Sequence, residues 1–131
     1  MLKRIQINLH RNKGGVLGAL EFKDFFSWEA KRFYFLHSCT EARGGHCVIG
    51  EKKVYICLKG SVVAKFFDGE NWFEFNLTEE NQAVLMEGDY WREFAEFSAD
   101  CVLGVISSMN YEPEKYILEL GKFQEFKLNG N

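Results

Sequence analysis

The sequence predicts an all-β protein, a small β-barrel or jelly roll with one short helical turn near the C-terminus. Three observations carry this expectation. Apolar and polar residues alternate with period two along most of the chain, glycine or Asx turns break that alternation at short intervals, and helical periodicity is scarce in a chain with a single proline.

Taken in order, residues 2–9 (Leu-Lys-Arg-Ile-Gln-Ile-Asn-Leu) read as a strand, and Lys13-Gly14-Gly15 turns into a second from Val16 to Phe22. Lys31 to His37 is aromatic and β-prone. Lys53 to Leu58 and Ser61 to Phe67 flank Lys59-Gly60, a two-residue hairpin signal. Asp68-Gly69-Glu70-Asn71 turns into the strictly alternating Trp72 to Leu77. Ala83 to Met86, Tyr90 to Phe97 and Cys101 to Ser107 follow, with turns at Glu87-Gly88-Asp89 and Ser98-Ala99-Asp100. Roughly nine or ten short strands at regular spacing make a sandwich or barrel. Pro113 suits the first position of a helical turn running through Tyr116 to Glu119, which would cap one end of the barrel. No linker, repeat or low-complexity tract divides residues 1–131, so one domain is expected.

Composition narrows the function. A chain of 131 residues that is 47% hydrophobic and 16% aromatic can build its core without staples. Cys39, Cys47, Cys57 and Cys101 contain no C-x-x-C pair and read as free thiols. The longest apolar runs, such as Val102 to Ile106, fall far short of the roughly 20 residues of a membrane helix. The first eight residues alternate and form no apolar leader core, which points to the cytosol. A net charge of −3 argues against nucleic acid as a partner, yet leaves room for a few arginines around one small phosphate ligand.

The densest group of interpretable residues is Arg43-Gly44-Gly45-His46-Cys47-Val48, followed by Ile49-Gly50-Glu51-Lys52-Lys53 and a strand ending at Gly60. It resembles the first cupin motif, in which a His-x-His pair on one strand aims two imidazoles into the barrel. Val48 stands in place of the second histidine, and lysines occupy the expected acid positions. The second motif's histidine is also missing from Tyr90-Trp91-Arg92-Glu93-Phe94. A metal needs about three or four converging donors, so the expectation is a cupin without metal or other cofactor.

A longer series covers nearly the whole chain: Gly15-x-Leu17-x-x-x-Glu21, Lys31-Arg32-x-Tyr34, Arg43-Gly44-x-His46, Cys57-Leu58-x-Gly60-Ser61, Asp68-Gly69, Trp91, Phe97-Ser98-x-Asp100-Cys101 and Tyr111-x-x-x-x-Tyr116-Ile117. This order is similar to that of the dTDP-4-keto-6-deoxyglucose 3,4-ketoisomerases. The resemblance implies a metal-free cupin acting on a dTDP-linked 4-keto-6-deoxy sugar, as a homodimer with strand exchange. It further implies a 3-keto product passed to an aminotransferase for the deoxysugars of surface polysaccharides or S-layer glycans.

Moving a carbonyl from C4 to C3 requires removal of the C3 proton, support of the enediolate and return of a proton at C4. An imidazole titrates near neutral pH, which makes His46 the expected base and Tyr34 its assisting acid. Both match the family's catalytic positions. Arg32 and Arg43 are expected to fork onto the pyrophosphate, and Trp91 to stack on the base or line the cavity. By resemblance, Arg92 favours the gluco (quinovose-type) product, while Gly14 stands at the turn position that would assist that choice. His10 and His37 read as surface residues, Trp28 and Trp72 as core or dimer contacts, and Glu79-Glu80 as a solvated turn. Alternation puts Tyr34 on the face opposite Phe33 and Phe35. The other functional class that fits is a degenerate cupin that binds a dTDP-sugar or a pathway partner without turnover, the reading that Val48 favours.

Overall fold

The computed structural model describes residues 1–80 and 82–130. Its strands are β1 (Leu2–Gln6), β2 (Asn8–Asn12), β3 (Gly15–Ala19), β4 (Arg32–His37), β5 (Arg43–Val48), β6 (Lys52–Lys59), β7 (Ser61–Phe67), β8 (Trp72–Thr78), β9 (Gln82–Glu87), β10 (Trp91–Ala95), β11 (Val102–Ser107) and β12 (Tyr116–Ile117). One helix, α1 (Leu120–Leu128), follows them. Two five-stranded antiparallel sheets face each other, ordered β1-β9-β6-β11-β4 and β12-β5-β10-β7-β8, while β2 and β3 form a separate hairpin. This is the all-β jelly roll that the alternation predicted.

Period-two patterning assigns each layer. On β6, Tyr55 and Cys57 join Phe66, Phe94, Leu103 and Val105 between the sheets, whereas Val54 and Ile56 face outward. Those outward residues are covered by Leu20, Phe25, Phe26 and Trp28 from the chain after β3, with Phe26 and Trp28 stacked at 3.8 Å. The second sheet's outer face buries Cys47, Phe67 and Trp91 under Phe123 of α1. On β4 the alternation is equally plain, with Phe33 and Phe35 exposed and Tyr34 turned inward against the core.

Three local expectations change. Residues 2–9 split at Ile7 into β1 and β2, and the strand from Val16 ends at Ala19 before a 3-10 turn over Phe22–Asp24. The helical turn begins at Pro113 but stops at Lys115, because Tyr116 and Ile117 pair with Val48 and Cys47 on β5. The cap is instead α1, held by the single buried residue Phe123. A nine-residue segment is too short to hold a helix by itself, so this packing decides its form.

Candidate active site

At one end of the sandwich the apolar interior gives way to charge. From the first sheet, register sets Ser107 on β11 opposite Arg32 on β4 and Lys53 on β6. From the second, it sets Arg92 on β10 opposite His46 on β5. Gly44 permits this approach: its φ is +92°, and a Cβ there would lie 2.8 Å from the Arg92 carbonyl oxygen. Any larger residue would drive β5 away from β10.

Glu51 lies at the centre. It follows a turn at Gly50, whose N–H is bound by Asp89 Oδ1 at 2.8 Å. Its carboxylate accepts the Ser107 hydroxyl at 2.6 Å and meets Lys53 Nζ at 3.1 Å, Arg92 Nη1 at 3.2 Å and Arg32 Nη2 at 3.5 Å. Lys53 also hydrogen-bonds the Tyr34 hydroxyl. Glu51, Lys53 and Arg92 are each 1% exposed. Three cations thus surround one buried carboxylate, and Arg92 Nε and Nη2, Arg32 Nε and Tyr55 Oη have no hydrogen-bond partner among the described residues. The cluster as a whole therefore carries a surplus of positive charge.

Protonation follows from burial and charge. Burial alone would push the Glu51 carboxyl up, but Lys53, the Ser107 hydroxyl and Arg92 overcome it and hold it below its usual value. Burial, and then Arg92, drive Lys53 down to about 7 against the opposing pull of Glu51. The same two causes lower His46 to about 4, so its imidazole is neutral at pH 7. Burial, helped by Glu51, raises Tyr34 and keeps its hydroxyl protonated.

Above the cluster opens a pocket of about 260 Å³ lined by Arg32, Tyr34, Arg43, His46, Tyr111 and Tyr116. Tyr116 packs on the His46 ring at 5.1 Å, and Tyr111 lies edge-on to Tyr116 at 5.7 Å. A carbon acid held there would meet a neutral imidazole on one wall, a phenol on the other and positive charge beneath.

Of the residues singled out in the sequence, Tyr34, His46, Arg32 and Arg43 come together at this pocket. Trp91 does not line it. Adjacent strand residues point to opposite faces, so with Arg92 inward Trp91 must face outward, where it packs on Phe123 and donates to Glu93. Arg92 lies beneath the pocket as the partner of Glu51, not at its surface. Arg32 is likewise drawn inward, its guanidinium 4.8 Å from the Tyr34 ring centre, which leaves Arg43 exposed at the mouth. Gly14 sits at the tip of the β2–β3 hairpin with nothing within 4 Å of its Cβ position, and the fold of one chain does not bring it to the pocket. His10 and His37 are on the surface, as expected, and no three metal-ligating side chains converge among the described residues.

Sequence reasoning missed Glu51, Lys53 and Ser107, and gave Tyr111 and Tyr116 no role. One signal was available. On β6, Lys53 shares its face with Tyr55 and Cys57, and a lysine in phase with core residues is out of place unless it has a buried partner.

The model of the WxcM-like, C-terminal family (FdtA) matches residues 2–128. The chain belongs to this family. Its WxcM-like relatives include an Aneurinibacillus thermoaerophilus protein named TDP-4-oxo-6-deoxy-alpha-D-glucose-3,4-oxoisomerase, 29% identical over 114 residues that cover 86% of this chain and 82% of the relative. Among solved structures, WlaRB, a TDP-quinovose 3,4-ketoisomerase from Campylobacter jejuni, superposes with a TM-score of 0.86 at 27% identity, covering 95% of this chain and 97% of its own. QdtA, a sugar 3,4-ketoisomerase from Thermoanaerobacterium thermosaccharolyticum solved with TDP, gives a TM-score of 0.90 at 24% identity, with 98% and 96% covered. At that identity the QdtA likeness speaks for the cupin fold that this WxcM-like chain adopts.

Proposed function

We propose that this protein is a dTDP-4-keto-6-deoxyglucose 3,4-ketoisomerase of the quinovose type, with His46 as base and Tyr34 as assisting acid. The observation that carries the reading is their placement: a neutral imidazole and a protonated phenol on facing sheets, open to one pocket with Arg43 at its mouth. Neutral His46 takes the C3 proton, and an anionic substrate entering beside it offsets Arg92 and raises its basicity. Tyr34 donates to the sugar oxygen, while the surplus of cations around Glu51 favours the enediolate over the ketone. Arg43 contacts the pyrophosphate, and Arg92 supports the gluco outcome from beneath. The name of the 29% identical relative supports a 3,4-oxoisomerase, and that of the 27% identical WlaRB supports the quinovose type.

The same proposal includes a homodimer. Val16, Leu17, Phe33, Phe35 and Leu58 are large, apolar and exposed. An apolar groove of about 350 Å³ runs between the β2–β3 hairpin and β6. Exchange of that hairpin between two copies would cover these residues and carry Gly14 to a partner. The free cysteines fit a reducing cytosol, and the 3-keto product suits an aminotransferase that serves surface-glycan synthesis.

The test is incubation with dTDP-4-keto-6-deoxyglucose in deuterated water, followed by NMR of the sugar ring. Deuterium at C3 of the substrate and C4 of a gluco-configured 3-keto product is the expected result. TDP binding without exchange would leave the non-catalytic reading in its place.

A further inference from the structure

Isomerisation of a 4-keto sugar moves two protons, and only one of them is on carbon. His46 handles the step from C3 to C4. The second proton must leave the O3 hydroxyl and arrive at O4, and of the three tyrosines lining the pocket Tyr34, the assisting acid of the isomerase reading, takes that transfer. Alone it is poorly suited, because its phenolate is costly in this buried site. Behind it, however, stands Lys53, hydrogen-bonded to the Tyr34 hydroxyl and 3.1 Å from Glu51 Oε1.

We propose that Lys53 is a positioning residue for catalysis, the proton store behind Tyr34 that lets its hydroxyl pass a proton from O3 to O4. The inference rests on the isomerase reading and adds a residue to it. Removal of the C3 proton by His46 leaves an enediolate with its charge on O4; the Tyr34 O–H bond then breaks and its proton goes to O4, giving the enediol. The Lys53 ammonium releases a proton to the phenolate oxygen and becomes an amine. As the His46 proton goes to C4, the Tyr34 O–H bond breaks toward the Lys53 amine, restoring the ammonium, while the O3–H bond breaks and its proton goes to the Tyr34 oxygen. The proton count closes on each turnover, and no redox partner is needed.

Two observations set Lys53 apart from a plain counter-ion to Glu51. Glu51 carries a single charge that Lys53 at 3.1 Å, Arg92 at 3.2 Å and Arg32 at 3.5 Å all share, so the cluster holds two positive charges more than its carboxylate offsets. In addition, the groups facing Lys53 are Glu51, Arg92, Arg32, Tyr34, Tyr55 and His46, and burial together with their balance brings it to about 7. An amine that titrates there holds or gives up a proton at little cost.

The experiment compares wild type with Lys53→Met and Lys53→Gln, checked by thermal melting and TDP binding. In both variants kcat is expected to fall about 100-fold or more, the usual worth of a placed proton-transfer group, while TDP affinity stays within about threefold. Deuterium exchange at C3 of unreacted substrate should fall by less than tenfold, so exchange outruns product formation. Wild-type kcat should show an inflection near pH 7 that the variants lack; His46, at about 4, does not supply it. A variant keeping more than a third of wild-type kcat, or exchange and turnover falling together, overturns the inference. If neither variant folds, the wild-type profile decides, and a flat kcat from pH 6 to 8 overturns it. Wild type that binds TDP but neither exchanges nor isomerises overturns the isomerase reading itself.

Discussion

Replacing Glu51 by Gln removes the one negative charge among Lys53, Arg92 and Arg32 and keeps the side chain's size. At separations of 3.1 and 3.2 Å, an effective dielectric near 20 gives each of the two closest pairs about 5 kcal/mol of attraction. Desolvation already consumes much of that, and the measured cost of stripping one partner from a buried pair is about 3–5 kcal/mol. The variant can relieve part of the loss by releasing the Lys53 proton. In wild type that proton is held to about pH 7, against an unfolded value near 10.4. Without Glu51 the folded value drops further, and between it and 7 the unfolded variant binds more protons than the folded one. Its stability therefore climbs with pH at up to about 1.4 kcal/mol per unit over a range where the Lys53 contribution in wild type is flat. Above pH 7 the two curves run parallel. Urea denaturation at pH 5.5 and pH 8 should show a loss of about 3–5 kcal/mol at the lower pH and a smaller one at the higher. A loss below about 1 kcal/mol at pH 5.5, or a gap that does not narrow, would refute the view that Glu51 holds this cluster together.

Two further outcomes follow from the same interior. Phe123 is fully buried against Phe67 and Trp91 at ring separations of 6.0 and 6.3 Å, so Phe123→Ala should cost about 3–5 kcal/mol and detach α1, read by denaturation and by amide exchange in residues 120–128. With His46 lowered to about 4, the unfolded chain binds the extra proton between pH 4 and 6.5, so stability should rise with pH across that window, and His46→Asn should flatten the rise in a pH series of melts.

The fold was legible because alternation was nearly complete, and the inward placement of Tyr34 followed from the two phenylalanines beside it. Where alternation ends, the reading weakened. Nothing local shows that Tyr116 and Ile117 add to β5, a contact 68 residues or more from its partner in sequence, and α1 exists because Phe123 finds a pocket that three other segments build. Trp91 and Arg92 illustrate a different failure. The sequence reading sets both at the substrate, yet neighbouring residues of a strand cannot share a face, so Arg92 turns in beneath the pocket while Trp91 turns out. Glu51, at the end of a turn, carries no periodicity of its own, and only the registers that converge on Ser107 and Arg92 give it a purpose.

Those registers also bear on Val48. It is 2% exposed and paired to Tyr116, so the position that a second imidazole would fill is closed with hydrocarbon. An imidazole there would sit on the same face of β5 as His46, where burial, and then Arg92, already push His46 down to about 4. The useful second group in this interior is one that burial and the surplus positive charge bring to neutral pH from above, not one that they drive further below. A lysine meets that condition and a histidine does not. Three cations around one carboxylate repel one another in the resting protein, and that repulsion is relieved when negative charge develops above them. In the proposed reaction the anionic substrate begins that relief on binding and the enediolate completes it, so the arrangement that burdens folding favours the intermediate.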